Sequence, residues 1–258
     1  MTAQLGKAMR LKRVIDGAGV SVICALDHGM TSPTFLEPLA DIRARAEEAV
    51  SGGANVIMMS KGMIRIAEPA FSPSTSLALL LSASASPRGE RPEIVQIADV
   101  EEALVLGADA VVLFTALGGD TEAEFPTTYA SVEELAAQYG FDYLRRNVRL
   151  CAELGADIVK TNWPGDQDGF AQLVEAANGV PVVLAGGSRI EDAELLRRME
   201  QAMGAGGIGC SVGRNIFMHR SPEAITRALS RVIRERWTGE KAHDALSEEL
   251  GVPSEGEN

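Results

Sequence analysis

Histidine, cysteine and positive charge are all scarce in this chain of 258 residues, and each scarcity argues against a class of function. The three cysteines, Cys24, Cys151 and Cys210, lie far apart and each sits in an apolar stretch. That spacing speaks against a disulfide framework or a Cys-rich metal site and fits a reducing compartment. The three histidines, His28, His219 and His243, are equally dispersed, with no His-x-His or His-Glu-x-x-His spacing. No metal and no cofactor is therefore expected. Positive charge is also short. With 36 acidic and 24 basic residues the formal charge is −12, so the footprint of a nucleic-acid binder or of an anionic membrane surface is missing. No run approaches the ~18 apolar residues of a membrane span. Met1–Arg13 interleaves charge with apolar residues and lacks the continuous apolar core of a signal peptide. A cytoplasmic protein without nucleic-acid or membrane partners is expected.

What is present is a globular composition, 46% hydrophobic and 23% charged. Seven short apolar runs recur between residues 20 and 236: Val22–Leu26, Asn55–Met59, Leu77–Ser82, Ala110–Thr115, Asp157–Lys160, Val182–Ala185 and Gly207–Val212. Most are continuous rather than alternating, as in strands buried on both faces of a parallel sheet. Amphipathic segments separate them, at Asp41–Ser51, Val100–Gly107, Phe170–Asn178, Glu191–Gly204 and Pro222–Glu235. Such βα repetition gives a doubly wound sheet or a (β/α)8 TIM barrel.

The placement of polar residues favours the barrel. Six strand ends carry chemically pointed residues: Asp27-His28-Gly29, Lys61-Gly62, Ser82-Ala83-Ser84, Lys160-Thr161-Asn162, Gly186-Gly187-Ser188 and Gly213-Arg214. A doubly wound sheet concentrates function at one switch point, whereas a barrel turns every C-terminal strand end to one mouth. The count falls one unit short of eight, because no apolar run separates the helical stretches 131–139 and 142–154. Ile94–Ile97 is too close to the third run for a crossover and reads as an accessory strand. Residues 1–236 are expected as one domain, with a leading helix over residues 1–18 set to close the barrel floor, and 237–258 as an acidic C-terminal tail or oligomer arm.

Of only five lysines, Lys61 and Lys160 fall at strand ends. Lys160 follows Ala156-Asp-Ile-Val, so its ammonium is partly desolvated. A lysine of that kind loses its proton more readily and can attack a carbonyl to form a Schiff base, or it can simply bind an anion. Asp27 can orient a substrate hydroxyl or move a proton, or merely cap the following turn. His28 could be a metal ligand, but its histidine companions are distant in sequence. Gly186-Gly187-Ser188 and Gly213-Arg214, at the last two strand ends, suit a phosphate held by backbone N–H groups, with Arg214 or Arg189 adding charge.

Six segments carry a resemblance: Ala25-Leu-Asp-His-Gly-Met30, Met59-Ser-Lys-Gly-Met-Ile64, Ala108-Asp-Ala-Val-Val112, Gly155-Ala-Asp-Ile-Val-Lys-Thr161, Val182-Val-Leu-Ala-Gly-Gly-Ser188 and Val212-Gly-Arg-Asn-Ile-Phe217. In this order, over roughly residues 15–235, the chain resembles the archaeal-type class I fructose-bisphosphate aldolase family. That family includes the 2-amino-3,7-dideoxyheptulosonate synthases and autoinducer-2 aldolase or thiolase relatives. The resemblance implies a (β/α)8 barrel with a Schiff base on Lys160, assistance from Asp27, and a phosphate held at Gly186–Ser188 and Gly213–Arg214. It also implies a homo-oligomer, commonly a decamer ring. One departure stands out. The family's fifth strand, ending in a Tyr-Pro-Arg-Gly-like motif whose tyrosine transfers a proton, has no counterpart between residues 131 and 154, and none of Tyr129, Tyr139 or Tyr143 has its context.

The residues together lead to a metal-independent Schiff-base aldolase acting on a phosphorylated ketose, of fructose-bisphosphate or heptulosonate-synthase type. Lys160 is the nucleophile, Asp27 the hydroxyl or proton partner, and Lys61, Gly186, Gly187, Ser188, Gly213 and Arg214 bind substrate and phosphate. The alternative is a family member that lost a strand and only binds a phosphorylated ligand or assembles.

Overall fold

The computed structural model describes residues 2–32, 34–83, 95–114 and 140–252, apart from the side chains of residues 2–4, 30 and 31. Helix α1 (Thr2–Val14) leads into β1 (Ser21–Ala25), then α2 (His28–Thr31), a 3₁₀ turn at Glu37–Asp41, and α3 (Ile42–Ser51). Next come β2 (Val56–Met59), α4 (Lys61–Ala67), β3 (Ser76–Leu80), β4 (Ser82–Ala83), β5 (Val95–Gln96), α5 (Val100–Val105) and β6 (Ala110–Val112). From residue 140 onward the order is α6 (Phe141–Glu153), β7 (Val159–Thr161), α7 (Gln167–Ala176), β8 (Val182–Ala185), α8 (Asp192–Gly204), β9 (Gly209–Val212), α9 (Arg214–Phe217), α10 (Pro222–Arg234) and α11 (Gly239–Glu249).

Seven strands form one parallel sheet in the order β6-β3-β2-β1-β9-β8-β7. Apart from β6 and β7 at its two ends, strands consecutive in this sheet's chain order lie side by side, and the first and last strands, β1 and β9, pair in the middle. This is the curled sheet of a TIM barrel, with helices packed outside it. Side chains alternate between two apolar layers, as strand geometry requires. Ile23, Ala25, Val56, Met58, Ala78 and Val183 face the lumen. The larger layer lies between strands and helices, where Leu184, Phe170, Leu195, Met199, Ile225 and Leu229 pack together. Fully burying a side chain such as Phe170 or Leu195 contributes about 1.5–3 kcal/mol each. Capping sets several helix starts: Asp41, Asp99, Asp166, Ser221 and Thr238 each accept a first-turn backbone N–H.

Two expectations are corrected. The run Leu77–Ser82 is not one strand: β3 ends at Leu80, and the chain turns so that β4 pairs antiparallel with β5, Ser82 opposite Gln96 and Ala83 opposite Val95. Within the expected accessory strand Ile94–Ile97, Val95 and Gln96 form β5, and Ile94 lies outside the described residues. The stretch from residue 237 does not open as an acidic tail, because α11 docks on α8 and α10 with Ala242 and Leu246 buried. The side-chain carboxylate of Glu200 accepts the Gly239 N–H at 2.7 Å, and the Lys241 Nζ stands 3.7 Å from the Trp237 ring centroid. The polar face of that helix supplies the acidity; its apolar face is core.

The leading helix does lie across the floor, with Val14 packed in the lumen layer. Its Lys7 pairs with Asp157, just before β7, at 2.6 Å, and its Arg13 pairs with Asp109, just before β6. α1 therefore ties together the two strands at the ends of the described sheet. The stretch where the family's fifth strand is expected, with residues 131–139, Tyr129 and Tyr139, lies outside the described residues; Tyr143 is on α6.

Candidate active site

Because the seven strands run parallel, their C-terminal ends share one rim, and the polar residues at those ends meet there. Lys160 lies between buried Val159 and Thr161, opposite Val183 of β8 in register. It shares the lumen face with Ile158, two residues back. Its side chain reaches water at the rim, while enough protein surrounds it to desolvate the ammonium in part. Burial pushes its pKa below the ordinary lysine value; Asp27 pulls the other way, and Arg214 adds to the lowering. Cys210 is also near, but burial raises its thiol to about 12, so at neutral pH it is an uncharged neighbour. Asp27 is thus the anion that balances Lys160.

Asp27 follows β1 and is only 4% exposed. Its Oδ1 is shielded from water without a hydrogen-bond partner among the described residues, and so are His28 Nδ1 and Arg214 Nε. Buried polar atoms are ordinarily paired, and an unpaired cluster of ionisable groups at a barrel mouth marks a place where a ligand completes the bonding. Asp27 makes no side-chain cap to α2, so the simple capping role is absent.

The loops after β8 and β9 are built against one another. A Cβ on Gly186 would press within 2.9 Å of Val212 Cγ1, so only glycine lets the two backbones approach so closely. Asn215, 3% exposed, joins the loops: its Nδ2 donates to the carbonyls of Gly186 at 2.9 Å and Ser188 at 3.0 Å, and its Oδ1 accepts the Ile190 N–H at 2.9 Å. Sequence reasoning gave Asn215 no role; its only signal was a polar residue inside an otherwise apolar stretch after Gly213-Arg214. Gly187 and Ser188 face solvent on this loop, while Gly213 is buried and Arg214 half-buried.

Lys61 lies elsewhere on the rim. Its Nζ donates to Glu102 Oε2 at 2.9 Å, so its charge is already matched. It opens on a cavity of about 430 Å³ between the β1 and β2 ends, whose lining includes Leu26, Asp27, Leu39, Ile42 and Met63. Asp27 is the residue shared by this cavity and the surroundings of Lys160.

His219, one of the two other histidines, is engaged away from this cluster, with its Nε2 3.0 Å from Asp192 Oδ2. Among the described residues no three His, Cys, Asp or Glu side chains are grouped as metal ligands, and no helix is long and apolar enough to cross a membrane.

Comparison with known proteins places this geometry. The family model described as "DeoC/LacD family aldolase" matches residues 21–144 and 141–219. The chain is 31% identical over 249 residues to the 2-amino-3,7-dideoxy-D-threo-hept-6-ulosonate synthase 1 of Archaeoglobus fulgidus, covering 90% of this chain and 93% of that protein. It is also 31% identical over 248 residues to the corresponding synthase of Halobacterium salinarum, covering 89% and 92%. An archaeal fructose 1,6-bisphosphate aldolase superposes with a TM-score of 0.74 at 26% identity, over 89% of this chain and 99% of that one. An archaeal fructose-1,6-bisphosphate aldolase whose catalytic Lys is covalently bound to the carbinolamine intermediate superposes with a TM-score of 0.73 at 25% identity, over 88% and 99%.

Proposed function

This chain belongs to the DeoC/LacD family of aldolases, and we propose that it is a class I enzyme that makes or breaks a carbon–carbon bond in a phosphorylated ketose through a Schiff base on Lys160. The observation that carries the reading is the Lys160–Asp27 pair: a lysine of lowered pKa on the lumen face of a barrel strand, beside a buried carboxylate with an unpaired oxygen.

In the cleavage direction the neutral amine of Lys160 adds to the ketose carbonyl, and the carbinolamine loses water to give an iminium. The substrate hydroxyl beyond the scissile bond gives up its proton as that bond breaks. Its electron pair runs into the iminium, leaving an enamine on Lys160 and releasing an aldehyde. Protonation of the enamine carbon and hydrolysis return the amine and the ketone phosphate. Asp27 binds the reacting hydroxyl and relays its proton. Gly186, Gly187, Ser188, Gly213 and Arg214 hold the phosphate, on a loop pair fixed by Asn215. Lys61 contacts the distal part of the substrate from the cavity wall that it shares with Asp27. The ketose is of the fructose-bisphosphate or heptulosonate-synthase type, and the working form is a cytoplasmic homo-oligomer.

Borohydride reduction in the presence of dihydroxyacetone phosphate, followed by peptide mass mapping, tests the reading. A reduced adduct on Lys160 is expected. An adduct on Lys61 alone, or none, overturns it. Tight binding without an adduct would favour a protein that binds a phosphorylated ligand without turning it over.

A further inference from the structure

The residue after Asp27 has no part in the scheme above, yet its placement is constrained on three sides. His28 Nδ1 stands 3.3 Å from Asp27 Oδ1, and neither atom has a hydrogen-bond partner among the described residues. The imidazole meets Phe217 of α9 edge-on, with centroids 5.1 Å apart and planes at 66°. On another side is Gly213, where any Cβ would overlap His28 Cε1 and come within 3.0 Å of Nδ1. A bare glycine and an aromatic edge from the β9 end thus hold the ring with Nδ1 turned to the carboxylate. Both walls come from a part of the chain some 190 residues away.

From this arrangement we infer that His28 is the positioning residue of Asp27: its Nδ1–H donates to Asp27 Oδ1 and leaves the other carboxylate oxygen aimed at the substrate beside Lys160. Hydrogen bonds in catalytic clusters are often long and poorly aligned until substrate is bound, which suits the 3.3 Å separation. The other charged or titratable groups in this neighbourhood are Lys160 on β7, Arg214 on α9, and the buried thiols of Cys24 on β1 and Cys210 on β9. The thiols are kept protonated by burial and place no charge beside the Asp27 carboxylate. The inference rests on the Schiff-base reading of Lys160.

Three substitutions separate positioning from packing. His28→Asn keeps a donor near the place of Nδ1, His28→Gln places one near Nε2, and His28→Phe keeps an aromatic ring against Phe217 but offers no donor. The readout is hydrogen–deuterium exchange at the carbon of dihydroxyacetone phosphate next to its carbonyl, with borohydride trapping at Lys160 alongside. His28→Phe and His28→Gln are expected to lose at least about tenfold in kcat with KM changed less than about threefold, while His28→Asn keeps about a third or more of the wild-type rate. In an Asp27→Asn background, His28→Phe should add no further loss, since it acts through the carboxylate. A wild-type rate in His28→Phe, an equal loss in His28→Asn, or full additivity in the double variant overturns the assignment. Absence of exchange and adduct in the wild-type chain overturns the aldolase reading and this inference with it.

Discussion

The two ends of the barrel treat their polar groups in opposite ways. At the floor, ionisable side chains are matched. Arg234 donates to Asp16 at 2.8 Å, the Gly53 carbonyl at 2.8 Å and Asn55 at 3.1 Å, while Asn55 also accepts the Val22 N–H at 2.7 Å and donates to the Val14 carbonyl at 2.9 Å. Arg13 and Lys7 add their pairs with Asp109 and Asp157. Among the described residues, the buried floor atoms without partners are neutral hydroxyls, Ser21 and Ser76 at the starts of β1 and β3. At the mouth, an acid, an imidazole and a guanidinium are left with unpaired buried atoms. A saturated network rigidifies a fold, and an unsaturated one is stability withheld for a ligand. The floor holds the barrel shut; the mouth is where chemistry is possible.

Substitutions at the two ends should therefore fail differently. The largest effect is expected from Lys160→Met, which removes the amine: kcat should fall by at least about 1000-fold, with no borohydride adduct. Its folding should not suffer. The folded-state pKa of Lys160 is lowered, so between that value and the ordinary 10.5 the unfolded chain binds more protons. Stability of the natural chain therefore rises with pH across that window, and below it the partly desolvated ammonium is a standing cost. Lys160→Met should melt higher than the natural chain at pH 7, with the gap closing as the pH approaches 10.5; a lower melting temperature at pH 7 would show the lysine to be a structural cation. Asp27→Asn comes next, with about a 100-fold loss in kcat. Because Asp27 raises the Lys160 pKa, its neutralisation should also move the pH dependence of borohydride trapping to lower pH. An unmoved profile would break the pairing.

Floor variants reverse the pattern. Asn55→Ala removes the acceptor of the Val22 N–H and of one Arg234 N–H and the donor to the Val14 carbonyl, and should cost about 2–3 kcal/mol in urea unfolding with kcat per folded molecule unchanged. Arg13→Ala, whose side chain is half exposed, should cost about 1 kcal/mol by the same measurement. If either lowers kcat tenfold at full folding, the separation between floor and mouth does not hold.

Much of this architecture is legible in the residues because its signals are local. The runs at Val22, Asn55 and Val182 are continuous since both strand faces are buried, and Asp41, Asp99, Asp166 and Ser221 announce helix starts three residues ahead of the N–H groups they cap. Lys160 and Asp27 stood out as charged residues at the ends of apolar runs, which is where a barrel exposes them. The split of the third run at Leu81 was hidden, since Leu81 accepts from Ile97 and donates to Val112, two partners distant in sequence. The docking of α11 was hidden as well, because its acidic face dominates the composition while Ala242 and Leu246 carry the contact.

The sequence alone, then, determined that the chain alternates strands and helices, that its strand ends are polar, and that a lysine and an aspartate sit at two of them. These depend on period, capping and burial of neighbours in the chain. Only the tertiary structure decided which ends converge and which polar atoms stay unpaired: Asp27 beside Lys160, His28 held by Phe217 and Gly213, Lys61 neutralised by Glu102, Asn215 joining two loops. Hydrogen bonding and charge act over a few ångströms of space, and curling the sheet brings into that range residues separated by about 30 to 190 positions of chain.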